Sequence, residues 1–390
     1  MTALRTNLFA VALGLSLLGN VMVYSATSRE YGTHYLVVRF AHLALGIFAF
    51  LATKRVRYTS WRKIAPGFYL LVLASLILVL IPGIGTEVRG AQRWFDLGPF
   101  SLQPAEFAKL AAILLLSCVV ARVRPGSGVP AWPMLAVGLL FGLVLLEPDF
   151  GTSVVIAAGV AGVLWASELR TWDLLAFSGA ASAALVGAML LAPYRRDRFT
   201  TFLDPWSVSE GSGYQVVQSM VAIKAGSILG AGAGAGVGGI SVPDVQTDMI
   251  FALIGEEFGL LGMVAVIGAF SFLVLAGFKI ALNAPSVMGR CLAAGLATMF
   301  VVQTTFNIGA AMGVVPLAGM TLPFVSYGGS SVFVCFAAVG ILYRISEDGE
   351  KAREAKPRKA RRSGSAGRVA GLNRGRRNGG ARDPRALRGG

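Results

Sequence analysis

The sequence predicts an all-α, polytopic integral membrane protein of about ten transmembrane helices. Three observations carry that prediction. Of its 390 residues, 55% are hydrophobic and only 14% charged, and the mean hydropathy of +0.67 is too high for a water-soluble globular chain. The apolar residues fall in windows, most of them near the ~20 residues that a bilayer-crossing helix needs. Lys and Arg are spread unevenly over the segments between the windows, which orients the chain.

In order, the windows run Leu8 to Tyr24, Leu36 to Ala52, Ala65 to Ile81, Ala105 to Ala121, Trp132 to Leu146, Thr152 to Ala166, Leu174 to Ala192, Phe258 to Ala281, Cys291 to Met312 and Thr321 to Tyr343. The first, led by Arg5, has the look of a signal peptide, but nine further spans argue for an uncleaved anchor. The fifth and sixth are short at ~1.5 Å per residue, so the "EPDFGT" turn between them is expected to dip into the outer leaflet. Pro323, Gly328 and Gly329 predict a broken start to the last span, a geometry tolerated at membrane depth only beside protein or a wet cavity.

With the N-terminus inside, eleven Lys and Arg lie on the inner side before the tail, against eight outside: Arg29, Arg39, Arg89, Arg93, Arg195, Arg196, Arg198 and Lys224. The segment from Arg344 adds fifteen inside, so both termini are predicted to be cytoplasmic. The expected organisation is a membrane domain over residues 1–345, one long extracytoplasmic loop over 193–249, and a disordered basic tail over 346–390. The segment from Arg344 onward carries ten of the fifteen net positive charges and is expected either to lie on anionic lipid or to dock a cytoplasmic partner. Without interleaved aromatics for base stacking, it is not expected to bind nucleic acid.

The three cysteines, Cys118, Cys291 and Cys335, all fall in spans, so neither a disulfide framework nor a thiolate metal site is readable. With only His34 and His42 available, a His-rich metal site is excluded, as is a Ser-His triad that uses neither. Chemistry must then rest on carboxylates, Lys and Arg, and these concentrate on the outer side. Gly234, Gly236 and Gly239 match the spacing of a dinucleotide fingerprint, but no strand-turn-helix unit surrounds them. The Gly-rich run is read instead as a flexible segment that permits close backbone approach.

Asp248, in "VQTDMIFALIGEE", is the central candidate, its alternative being an N-cap before the apolar helix that follows. Arg195, Arg196, Arg198 and Lys224 are either ligands for an anionic leaving group or interfacial side chains that snorkel. Glu106 and Lys109 form an i, i+3 pair just after Pro104, either functional or holding two helices together. Arg93 and Trp94 are candidates to line a groove on the outer side, with an aromatic-belt role as the alternative for Trp94. Asp149 either caps the next helix or helps hold a cation. Glu256 and Glu257 are expected to pair with a neighbouring helix.

"GAQRWFDLGPFSLQPAEFAKL", "EPDFGT", "YRRDRF", "TDMIFALIGEEFG" and "GMTLPFVSYGGSS", in that order, resemble the SEDS family (shape, elongation, division and sporulation) across residues 1 to 345. The wording of "EPDFGT", "IGEEFG" and "GMTLP" is closer to the FtsW branch than to the RodA branch. The resemblance implies a peptidoglycan glycosyltransferase of septal cell-wall synthesis, in the inner membrane of a bacterium, that polymerises lipid II on the extracytoplasmic side. It implies Asp248 as the general base and a Glu106–Lys109 salt bridge in the central cavity. It also implies as partners a class B penicillin-binding transpeptidase and other division proteins. A divalent cation at the pyrophosphate is compatible with this chemistry; no other cofactor is implied. A lipid II transporter and a non-catalytic division scaffold remain as alternatives.

Overall fold

The computed structural model describes residues 2–88, 91–98, 100–191, 193–236 and 242–375; the side chains of residues 88, 193–195 and 356–375 are outside the description. Each of the ten apolar windows carries a helix, the last only from Gly329 onward. They become α1 (Thr2–Tyr31), α2 (His34–Arg55), α3 (Trp61–Val79), α4 (Pro104–Val120), α5 (Ala131–Leu146), α6 (Phe150–Trp165), α7 (Thr171–Leu191), α10 (Ile250–Leu282), α11 (Val287–Ala311) and α12 (Gly329–Gly375). Seven membrane spans among the described residues are long and apolar enough to cross a bilayer, while α5 and α6 are shorter apolar helices, as their windows predict.

Two additions were not expected. A small antiparallel sheet, β1 (Thr86–Val88), β2 (Ala91–Asp96) and β3 (Ser101–Leu102), lies between α3 and α4 and makes the fold slightly less than all-α. The loop expected over 193–249 is also not structureless, because it contains α8 (Pro193–Leu203) and α9 (Tyr214–Gly226).

Helix ends follow local chemistry. Pro104 opens α4, where its missing N–H costs nothing, with Glu106 in the same first turn. Ser286 caps α11 by accepting from Gly289 N at 3.2 Å. The centre of the bundle is packed closely through small residues: a side chain at Gly159 would strike Ile113, and one at Gly295 would strike Val163 and Ile113, so α4, α6 and α11 approach where lipid supplies no hydrophobic force.

α10 is broken at Gly259 (φ 62°, ψ −160°), a conformation open to glycine. The Gly-rich run wraps this break: Ala231 N donates to Glu256 O (2.9 Å), Gly232 N to Glu257 O (3.0 Å) and Leu260 N to Ser227 O (3.0 Å). Close backbone approach is thus what these glycines supply. α12 continues without a break past residue 345, the expected boundary between membrane domain and tail. Arg5 binds Glu350 at 2.6 Å, and Glu347 pairs with Lys351 (2.6 Å) and Arg344 (3.4 Å), spacings that sustain a helix. Residues 376–390 lie outside the described residues.

Candidate functional site

Asp248 stands in the turn that leads into α10. Met249 occupies the cap position, so Asp248 lies one residue outside it. Three successive carbonyls of this turn are tied down from the segment that precedes α12 and from α11. Tyr327 N donates to Gln246 O (2.8 Å), Ser326 Oγ to Thr247 O (2.5 Å) and Asn307 Nδ2 to Asp248 O (3.0 Å). Asn307 Nδ2 also donates to Met320 O (2.6 Å), and Ser326 Oγ accepts from Leu322 N (2.8 Å). The broken start predicted for the last span is therefore the support on which the Asp248 backbone rests.

Asp248 lines a cavity of about 840 Å³, within the ~300–1,000 Å³ usual for a ligand site. Arg93, Trp94 and Arg198 line it too, so four of the predicted site residues share one chamber. A methyl group on Gly319 would stand 3.8 Å from Asp248 Oδ2 and 3.7 Å from Arg198 Nη1, so carboxylate and guanidinium converge on one point. Arg198 Nη1 also donates to Leu317 O (3.4 Å). Leu185 and Met189 of α7 with Phe306 of α11 give the chamber apolar wall.

Arg93 does more than line the wall. Its Nε donates to Glu147 O (2.7 Å) and its Nη2 to Pro148 O (2.6 Å), pinning the small sheet to the "EPDFGT" turn, while its guanidinium lies 6.0 Å from the Trp94 ring. Asp149 spends one oxygen on Thr152 N (3.0 Å) as the cap of α6 and the other on Gln103 Nε2 (2.9 Å). That arrangement fits a cap rather than a cation ligand, and no grouping of three or more His, Cys, Asp or Glu side chains suited to a metal occurs among the described residues. Burial, reinforced by Asp149, pushes the neighbouring Glu147 carboxyl up to about 9 against a smaller downward pull from Arg93.

The remaining candidates lie away from the chamber. Glu106 and Lys109 form the expected ion pair at 2.7 Å, fully enclosed in α4. They do not line the cavity, yet Lys109 Nζ donates to Gln303 Oε1 (3.1 Å) and Gln303 Nε2 donates to Thr321 O (3.0 Å), a residue that does. Lys224 is exposed on α9 and is not among the residues that line the cavity. Arg196 is likewise exposed, and the Arg195 side chain lies outside the described residues. Glu257 is buried and accepts from Ser25 of α1, the interhelical pairing expected of it.

Sequence reasoning missed Asn307, Ser326, Tyr327 and Gly319. The last three sit in "GMTLPFVSYGGSS", quoted as a motif without a role for its members. Asn307 carried its own signal, a buried amide within an apolar span.

Fold and site together define a multi-pass membrane protein with a carboxylate and a guanidinium aimed into one chamber. The chain belongs to the FtsW/RodA/SpoVE family, described as "Cell cycle protein", which it matches over residues 5–351. It is 37% identical over 350 residues to the "Probable peptidoglycan glycosyltransferase FtsW" of Coxiella burnetii, covering 87% of this chain and 94% of that protein. It is 33% identical to the "Stage V sporulation protein E" of Bacillus subtilis, over 89% of this chain and 99% of that one. Among solved structures it is similar to a chain of the one reported as "Structural coordination of polymerization and crosslinking by a peptidoglycan synthase complex" (TM-score 0.73, 31% identity, 87% and 97% covered). The rod shape determining protein RodA of Thermus thermophilus gives a TM-score of 0.65 at 28% identity, with 87% and 96% covered.

Proposed function

We propose that this chain is a peptidoglycan glycosyltransferase that polymerises lipid II during septal wall synthesis, with its chamber on the outer side of the cytoplasmic membrane. The convergence of Asp248 and Arg198 above Gly319 carries the reading. Asp248 takes the proton from the acceptor's 4-hydroxyl as that oxygen attacks the anomeric carbon of the donor. The bond from that carbon to the pyrophosphate breaks, the α-linkage becomes a β-1,4 link, and undecaprenyl pyrophosphate departs. Arg198 neutralises charge on the leaving pyrophosphate, which needs no proton donor. Trp94 and the apolar wall from α7 offer surface to sugar and lipid. The fixed turn at 246–248 suits a base that must meet its proton at ~2.6–3.2 Å.

The naming of the relatives as FtsW supports the septal role. A class B penicillin-binding transpeptidase is the proposed partner, in keeping with a structural relative reported from a complex that coordinates polymerization and crosslinking. The bilayer domain is proposed to end near residue 345, with the basic segment beyond it on the cytoplasmic side. The test is incubation of purified protein with lipid II, alone and with such a partner, followed by separation of glycan strands on a gel. A ladder of strands is expected. Translocation of lipid II without polymer in either condition would overturn the assignment.

A further inference from the structure

Arg39 was counted as an outer-side charge, but it is fully buried in α2, with no carboxylate within 4 Å among the described residues. An unpaired guanidinium held inside protein is costly, and apolar residues of similar volume in such places are often as stable or more so. Among the described residues its hydrogen bonds all run one way, to backbone carbonyls of a single turn. Arg39 Nη2 donates to the carbonyl of Phe324 and to that of Val325 (3.0 Å), while Nε and Nη1 have no partner among the described residues.

Phe324 is at φ 65°, a left-handed conformation that a bulky residue adopts only under constraint. Its ring is wedged between Phe300 (5.6 Å) and Phe336 (5.3 Å), and its carbonyl is turned back toward α2. Gly19 of α1 makes the approach feasible, because a side chain there would strike Val325 O and Arg39 Nη2. The next two residues, Ser326 and Tyr327, hold the carbonyls of Thr247 and Gln246.

We propose that Arg39 is a positioning residue for the glycosyl transfer: it locks the left-handed turn at Phe324 and Val325, and through Ser326 and Tyr327 sets the placement of Asp248. The link is therefore Arg39 to Phe324 and Val325, then Ser326 and Tyr327 to the turn, then the carboxylate. It rests on the reading of Asp248 as the base. Removing the charge without removing volume should leave the fold intact and misplace the base.

The experiment is a double-mutant cycle in the full-length protein with its partner, scored as strand synthesis per folded molecule. Arg39→Met should lower kcat about tenfold or more with KM for lipid II little changed and the melting temperature equal or higher. Arg39→Lys should recover part of the rate. If both residues act in one chain, Arg39→Met combined with Ser326→Ala should lose no more than the worse single variant, whereas independent effects would multiply. Normal kcat in Arg39→Met, multiplied losses in the double variant, or a rate that falls only as the folded fraction falls would each overturn the proposal. Should Arg39→Met not fold, Arg39→Lys enters the same cycle with the same criteria. Asp248→Asn is run alongside: if it is active, the base reading itself fails; if it is inactive while Arg39→Met is normal, only the positioning role fails.

Discussion

One wall of the chamber, formed by the 246–248 turn, the segment before α12 and α11, is tied through three successive carbonyls and backed by fully enclosed side chains. A second part of the lining brings Leu185, Met189, Arg198 and Phe199 from α7 and α8, and α7 buries none of its own residues. The two charged groups are divided between these walls in a way that suits the roles proposed for them. Proton transfer demands contact within a few tenths of an ångström, so the carboxylate stands on the braced side. Coulomb attraction falls only as 1/r, so a guanidinium on the thinly packed side would still serve the proposed anionic leaving group.

The strongest way to break this comparison is at the braced wall. Asp248→Asn keeps volume and removes the proton acceptor, so strand synthesis from lipid II should fall roughly 10² to 10⁴-fold with lipid II binding retained. Normal synthesis by the folded variant would end the assignment of a base to this wall. Next comes the meeting point of the walls. Gly319 has φ +67°, and Gly319→Ala would add strain of about 1–2 kcal/mol and set a methyl group between the charges. A drop in kcat/KM of about tenfold or more is expected, against little change for Gly14→Ala, whose added methyl meets nothing within 4 Å.

On the thinly packed wall, Arg198→Ala should lower kcat/KM roughly tenfold, and Arg198→Lys should restore part of it, since a point charge suffices where geometry is loose. A loss larger than that of Asp248→Asn would invert the comparison. The smallest effect concerns stability at the rim. Because the folded Glu147 carboxyl is held near 9, against 4.5 for an unperturbed group, the folded state binds that proton more tightly than the unfolded state. Its contribution is greatest below about 4.5 and is lost as pH rises toward 9. Glu147→Gln should therefore melt higher than wild type at pH 9 and nearly alike at pH 4.5; equal melting curves at both would show a Glu147 carboxylate that is not desolvated.

Much of this protein follows from sequence alone. Ten apolar windows became ten helices because a bilayer leaves the backbone no other partner than itself, so local hydropathy suffices to place a span. Prolines and glycines at 323, 328 and 329 announced the broken start of α12 for the same local reason. Motif resemblance brought Asp248, Arg198, Arg93 and Trp94 forward, and they meet in one chamber. What local pattern missed depends on distance along the chain. Lys224 looked like a ligand because it shares a loop with Arg198, but α9 packs elsewhere. Arg39 was counted among the outer-side charges because charge predicts exposure, yet it lies under a turn 285 residues away. Asn307 and Ser326 acquire their roles only when α11 and the segment before α12 fold against residues 246–248. Hydropathy and helix ends are properties of neighbours in sequence, and so the sequence by itself determined them; the convergence of a carboxylate, a guanidinium and the carbonyl ties that aim them was decided by tertiary structure, because buried hydrogen bonds are satisfied by whichever groups the packing brings within reach.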